Sequence, residues 1–418
     1  MPGVPAYAIP FPVIIMLTLP SSPHLRSDSK SFRDPGAPAV PPAPDFQRRR
    51  GRTLEVARRA HGAVDAVILC DPHDIQYLTG TREGISWLVL LESAAFAVSR
   101  HMLVSEVRAE AHDCEILLAA SRSTERPDLA HFVIGKLAQR GLARVVVDPA
   151  RLSAQSYFQL AAQAASAGLE VCCLPDLLAG LRAVKDAAEI ALTRRCVAIA
   201  ETAFKALLEQ GAGALIGRTE RDLADELEAR LWTAGADRQG FPGTGIIVAS
   251  GPNSASAHHS PGTRRVAAGE SLLIDWGAEL AGYRSDTTRT VFLGSVPEFA
   301  RQAYPIVEQA LHRAARRLRA GATMGEIDQA ARETVTDADY PEFHYGVGHG
   351  VGLAIHEAPW LRADATELCE PDMLTTIEPG IYLPGIGGIR IENLYRVTPD
   401  GNECLGGLPT ELGAMMIS

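Results

Sequence analysis

The chain has 418 residues, 46% hydrophobic and 22% charged, with a formal net charge of −10. At about 100–200 residues per domain this is room for two or three domains with sizeable cores, and the acidic balance argues against a nucleic-acid partner, because phosphate binding needs a basic surface. The 7 cysteines, an odd number without a C-x-x-C pair, argue against a disulfide framework and a structural zinc site and fit a reducing, cytoplasmic compartment.

Residues 8–19 (AIPFPVIIMLTL) are apolar but too short to span a bilayer, contain two prolines and follow no basic residue. The stretch to residue 45 is rich in Pro, Ser and Arg and cannot bury a core. Residues 1–45 are therefore expected to be a disordered leader, or a start assigned too early with Met16 as the true one; no membrane partner is expected.

Patterning begins at Phe46. RRRGRTLEVARRAHG predicts an amphipathic helix stopped by Gly62, VDAVILCD a buried strand, and PHDIQYLTG a loop and turn. SWLVLLES, AAFAVS, RVVVDP and LEVCCLP predict further strands, with Cys172 and Cys173 as buried filler, and HFVIGKLAQRG and AQSYFQLAAQAASAG predict helices between them. This alternation predicts a small α/β domain over 46–180.

A long helix begins near Asp186 and opens a second domain, 181–418. Within it GRTERDLADEL and GATMGEIDQAA share G-x-T-x-x-[D/E]-[L/I], where Thr219 with Asp222 and Thr323 with Glu326 resemble capping boxes. The echo is either chance or the mark of a duplicated, pseudo-twofold α+β domain.

Five residues carry the chemistry: Asp275 in LLIDWG, Asp286 in SDTTRT, His349 in GVGHGVG, Glu378 in TTIEPG and Glu392 in IRIEN. Each sits in an apolar or glycine-rich frame, where unpaired carboxylates cost several kcal/mol each. Delivered from strands and turns, they suit two divalent cations sharing bridging oxygens. Asp275 and Asp286 are expected to meet across a hairpin. Arg390 and Glu392 are expected on one strand face, with Arg390 orienting Glu392 or touching substrate. Hard oxygen and imidazole ligands suit Mn²⁺, Co²⁺, Zn²⁺ or Fe²⁺, and ligand type alone does not choose among them; Mn²⁺ is the first expectation. Such a site would hold a hydroxide between the ions for attack on a carbonyl. Glu378 is the general acid/base candidate, and His356 and His258 are the candidates for catalytic substrate and oxyanion contacts.

Together these segments resemble the pita-bread metallopeptidases: methionine aminopeptidase, Xaa-Pro aminopeptidase and prolidase, with creatinase a metal-free relative. The resemblance covers 46–418. It implies a pita-bread catalytic domain with a pseudo-twofold repeat, preceded by a smaller creatinase-like α/β domain. By it Asp275 would chelate one metal, His349 and Glu378 the other, and Asp286 and Glu392 would bridge. IIVASGPNSASAHH places His258 at a substrate-binding histidine, and IEPGIYLPGIGGIRIEN, with Arg390, is most like the prolidase and Xaa-Pro aminopeptidase branch. The sequence departs from that branch at Trp360, where several prolidases have an arginine; at Tyr345, where a histidine is frequent and His344 is displaced by one; and at Asn393, where an Asp is common.

The expected function is cleavage of the Xaa-Pro bond at the N-terminus of peptides or in dipeptides, by a homodimer. Tyr283, Tyr345 and Trp360 are candidates for the proline-pocket wall, and His258, His356, Arg390, Tyr345 and Trp360 for substrate contacts. The alternatives are a hydrolase of a small non-peptide amide, as in ectoine hydrolase, and a non-catalytic binding protein on the same fold.

Overall fold

The computed structural model describes residues 43–99, 101–119 and 128–418, so that the expectations for the leader, its last three residues apart, lie outside the described residues. The first helix, Phe46–His61, starts where the Asp45 side chain accepts from the Arg48 amide and stops at Gly62, whose φ is 73°. The segment expected as a loop is instead the helix Pro72–Thr79. Asp71 caps it by accepting from the His73 and Asp74 amides, Pro72 is preset for its first turn, and Gly80 closes it in the left-handed region.

Six strands form the first sheet: β1 (Ala66–Leu69), β2 (Ile85–Leu91), β3 (Ala95–Ser99), β4 (Glu115–Leu118), β5 (Arg144–Val147) and β6 (Glu170–Cys173), in the order β4-β3-β2-β1-β5-β6. The edge strand β4, which the pattern did not indicate, has no fully buried residue. On the other edge Cys172 and Cys173 are only partly buried, not core filler. Alternate residues of the inner strands enter different cores. Ala66, Ile68, Val89 and Val145 pack with the helices Leu129–Gln139 and Ala154–Ser166, while Val67, Leu69, Leu88 and Leu90 join the main core.

That main core continues into a repeated α+β arrangement. Its first half contains the helix Ala187–Leu208, started by an Asp186/Glu189 capping box, and the helix Glu220–Thr233, started by a Thr219/Asp222 box. Strands β7 (Arg238–Gln239), β8 (Ile247–Ser250), β9 (Ser271–Trp276), β10 (Ala278–Leu280), β11 (Tyr283–Arg284) and β12 (Thr287–Leu293) follow. The second half repeats the pattern with Glu298–Arg317 and Met324–Thr336, the latter started by a Thr323/Glu326 box. Its strands are β13 (Gly348–Gly350), β14 (Glu357–Leu361), β15 (Leu374–Ile377), β16 (Gly380–Leu383), β17 (Gly387–Arg390), β18 (Asn393–Val397), β19 (Asn402–Cys404) and β20 (Met416–Ile417).

Each half is thus a helix pair followed by an antiparallel meander, β8-β9-β12 in one and β13-β15-β18 in the other. The two capping threonines occupy matching places, Thr219 bridged to Arg265 ahead of β9 and Thr323 to Leu368 ahead of β15. The internal echo is a structural repeat, as the pseudo-twofold expectation had it. No helix among the described residues is long and apolar enough to cross a membrane.

Candidate metal centre

Asp275 is the penultimate residue of β9 and Asp286 immediately precedes β12, with Asp275 opposite Thr288 in the β9–β12 register. The small β10–β11 hairpin lies between them, as the turn residues implied. Trp276 pins this edge: its ring stacks on Phe204 at 4.1 Å and its indole N–H donates to the Ala200 carbonyl at 2.9 Å. The strand expected to run through Glu392 is broken. β17 ends at Arg390 and β18 starts at Asn393, leaving Ile391 and Glu392 outside both ladders. The Glu392 amide donates to the Thr288 carbonyl instead.

His349 is the middle residue of β13. A Cβ on Gly348 would lie 2.0 Å from the Thr376 carbonyl oxygen and one on Gly350 2.1 Å from that of Ala358, so the flanking strands close in only because both are glycine. His349 Nδ1 lies 3.1 Å from the Gly350 carbonyl oxygen, a contact that fixes the ring and leaves Nε2 facing the acids. Nε2 is 3.2 Å from Glu378 and 3.6 Å from Asp286. Glu378 follows β15, and its amide donates to the Val347 carbonyl at 2.7 Å.

Arg390 does not orient Glu392 directly, contrary to one of the expectations. Its Nη2 donates to Asp275 Oδ2 at 2.6 Å, its Nη1 to the Tyr382 hydroxyl at 2.9 Å and the Ala257 carbonyl at 3.0 Å, and its Nε to Thr288 Oγ1 at 3.0 Å. Thr288 in turn donates to Glu392 Oε2 at 2.7 Å. A second relay runs from Arg390 through Tyr382 to Tyr345, 2.8 Å on, and from the Tyr345 hydroxyl to the Glu378 carbonyl at 3.2 Å. Thr288 and Tyr382 were not singled out from the sequence, where they read as ordinary strand residues.

The electrostatics are those of crowded acids. Burial, with repulsion from Glu392, Asp275 and Glu378, pushes the Asp286 carboxyl well above the usual range. Burial, with Glu378 and Asp275, does the same to Glu392, and burial outweighs the Arg390 charge to raise Asp275. Burial would raise Glu378 too, but the His349 hydrogen bond and charge hold it below its usual range. Asp275 Oδ1 and Glu392 Oε1 are buried without a hydrogen-bond partner among the described residues, and Asp286, His349 and Glu392 each offer a ligand atom within 4.8 Å of the others. Buried acceptors with no donor, among mutually repelling carboxylates, fit divalent cations.

The centre opens into a cavity of about 500 Å³. His258, His356, Tyr345, Trp360 and Arg390 all line it, together with Phe241, His259 and Arg362, which sequence reasoning passed over. Tyr283 does not: it is 6% exposed in the core, and its hydroxyl donates to Glu189 at 3.0 Å. His344 is exposed outside the cavity lining. Asn393 accepts from Arg289 at 2.8 Å and does not reach the acids. The loop bearing His258 is tied down by Glu220, which accepts from the Ser250 amide at 2.8 Å and contacts His259 Nε2 at 2.8 Å. A glutamate in a first helical turn reads as a capping residue, which is why this anchor was not visible in the sequence.

Comparison with known proteins identifies the family. Residues 191–399 match the model of Metallopeptidase family M24, and residues 49–184 that of the Creatinase/Prolidase N-terminal domain. The chain is 30% identical over 375 residues to a protein named "Probable dipeptidase PepE" from Mycobacterium tuberculosis, covering 88% of this chain and 97% of that one. It is 36% identical over 240 residues to the Xaa-Pro dipeptidase of Pyrococcus furiosus, covering 57% and 67%. Among solved structures, the Xaa-Pro dipeptidase from Bacillus anthracis matches with a TM-score of 0.78 at 29% identity, over 89% of this chain and 98% of that one. The X-Pro aminopeptidase from Thermotoga maritima matches with a TM-score of 0.77 at 26% identity, over 87% and 98%.

Proposed function

This chain belongs to metallopeptidase family M24, and from that premise we propose that it hydrolyses the bond before a proline at the second position of short peptides. The observation that carries the reading is the buried set Asp275, Asp286, His349, Glu378 and Glu392, whose unpartnered carboxylate oxygens Asp275 Oδ1 and Glu392 Oε1 lie at the floor of a peptide-sized cavity. Its relatives named Xaa-Pro dipeptidase and X-Pro aminopeptidase support the substrate class.

Asp275 would hold one ion, His349 and Glu378 a second, with Asp286 and Glu392 shared. Two divalent ions there, manganese first among them and cobalt, zinc or iron as alternatives, supply a water of lowered pKa and polarise the scissile carbonyl. The protein's own groups do the rest. Glu378, held ionised beside His349, accepts the proton of the attacking water and returns it to the departing proline nitrogen. Burial above all pushes the His356 imidazole down to about 4, so it faces the substrate neutral and can donate one hydrogen bond. His258 and His356 are assigned to the substrate carbonyl. Tyr345 and Trp360 form the wall for a ring whose nitrogen carries no hydrogen. We further assign a creatinase-like domain to 46–180 and the catalytic domain to 181–418, a reading supported by family matches ending at 184 and beginning at 191. A homodimer in the cytoplasm completes the proposal.

The test is release of the N-terminal residue from Xaa-Pro dipeptides and longer X-Pro peptides by purified protein loaded with Mn²⁺ or Co²⁺. Turnover that disappears in Glu378→Ala is expected. No release from any of these peptides, with metal bound, would refute the proposal.

A further inference from the structure

Four buried charges outside the metal centre meet one residue from His356. Arg182 Nη1 donates to Asp74 Oδ1 at 2.9 Å and its Nη2 donates to Glu357 Oε2, while Lys185 Nζ lies 3.1 Å from Glu357 Oε1. None of the four side chains is more than 10% exposed. Arg182 is in the helix Ala179–Ala183, and Lys185 comes just after it, past the end of the Creatinase/Prolidase match at 184. Asp74 belongs to the helix Pro72–Thr79, and Glu357 opens β14 directly after His356.

The Glu357 carboxylate also shapes the loop that carries His356. Its Oε2 accepts from the Ala354 amide at 3.1 Å, and the Gly352 amide donates to the Ala354 carbonyl at 3.1 Å. A Cβ on Gly352 would fall 2.2 Å from Glu357 Oε1, so the loop backbone lies directly on the carboxylate. At the end of the loop the His356 ring stands edge-on to the His349 ring, with 4.4 Å between centroids. Lys185 is itself fixed, its amide donating to the Asp372 carbonyl at 3.0 Å, close ahead of β15.

We propose that Glu357, clamped between Arg182 and Lys185, is a positioning residue: it fixes the loop of residues 351–356 and with it the direction in which His356 faces the substrate. This deepens, and rests on, the proposed Xaa-Pro activity. A buried ion pair is weak support for stability, because desolvation offsets most of its attraction and apolar side chains could fill the same space. What the charged cluster supplies and they cannot is direction. One carboxylate oxygen takes the Ala354 amide and Arg182, the other faces Lys185, so the plane of the carboxylate is set and the turn wound on it is set too. His356 is exposed in the cavity, and no hydrogen bond or ion pair joins its ring to any described residue. Its aim therefore depends on the loop and on its contact with the His349 ring. A substrate contact displaced by about 1 Å can cost about a hundred-fold in rate.

The experiment is a double-mutant cycle on hydrolysis of an Xaa-Pro dipeptide by Mn²⁺-loaded protein. It compares wild type, Glu357→Gln, Lys185→Met and His356→Ala, and combines each of the first two substitutions with the third. Single-turnover rates with enzyme in excess keep the His356→Ala proteins measurable. Glu357→Gln is expected to lower the rate about ten- to a hundred-fold with Mn²⁺ affinity unchanged, and Lys185→Met by a smaller factor. In the His356→Ala background each should change the rate by less than about two-fold. Calorimetric titration with Mn²⁺ identifies a variant that has lost its fold; if Glu357→Gln is one, the Lys185→Met cycle decides. Equal factors with and without His356, or Mn²⁺ affinity lost along with the rate in both variants, would overturn this inference alone. No turnover of any Xaa-Pro peptide by the metal-loaded wild type would overturn the proposed function, and this inference with it.

Discussion

Arg390 Nη2 donates to Asp275 Oδ2 at 2.6 Å, joining two residues 115 positions apart. The guanidinium is therefore bound into the frame of the candidate metal centre. Arg390→Lys keeps the charge but loses the fork that serves Asp275, Thr288 and Tyr382 together. It is expected to lower kcat by about ten- to a hundred-fold with KM little changed. Steady-state kinetics check this, and a raised KM at unchanged kcat would return Arg390 to the role of substrate contact.

Thr288 links Arg390 to Glu392 by accepting from the one and donating to the other. Thr288→Val keeps the shape and removes both bonds, leaving Glu392 Oε2 without its donor. A loss of about 1–3 kcal/mol in stability and of about ten- to a hundred-fold in Mn²⁺ affinity is expected. Denaturant unfolding and calorimetric titration with Mn²⁺ read the two effects, and wild-type affinity in the variant would show the relay to be incidental.

Asp286 and Glu392 are held well above the usual carboxylate range by burial and their acidic neighbours. Ligation needs the ionised form, so metal binding must displace protons that these carboxyls hold more tightly than ordinary ones do. Mn²⁺ binding is expected to release more protons as the pH is lowered from neutrality, seen as a binding heat that changes with the ionisation enthalpy of the buffer. The release should shrink in Asp286→Asn, and a heat independent of buffer would contradict it.

Asp74, at the first turn of the helix Pro72–Thr79, pairs with Arg182 at 2.9 Å, and Arg182 also reaches Glu357, the neighbour of His356. Burial pushes Asp74 up to about 6 from 3.8, against the pull of Arg182. Between those values the folded protein binds more protons than the unfolded chain, so this group's contribution to stability falls as pH rises from about 4 to 6 and is level above that. Wild type should lose up to about 3 kcal/mol relative to Asp74→Asn across that window. Urea unfolding of both proteins from pH 4.5 to 6.5 measures it, and parallel curves would disprove the assignment.

The five candidate residues stand out in the sequence because each sits in a frame with few other uses: glycines around His349 that close packing demands, a proline after Glu378, buried strands before Asp275 and Glu378. The repeat was legible from two threonine capping boxes. What was not legible depends on distant partners. Arg390 was placed beside Glu392 by alternation, but the ladder breaks between them, and its tightest bond is to Asp275. Tyr283, aromatic and close to Asp286 in sequence, points into the core toward Glu189. Pro72 looked like a turn signal until Asp71 and Gly80 are seen to cap a helix around it.

The central claim is that Asp275, Asp286, His349, Glu378 and Glu392 together hold the ions that make this chain an Xaa-Pro peptidase. It is tested most directly by titrating metal-free protein with Mn²⁺ and measuring dipeptide hydrolysis against ions bound per subunit. Activity should be absent at the start and rise to its maximum as two ions fill each subunit. Full activity without metal, or none with two ions bound, would contradict it.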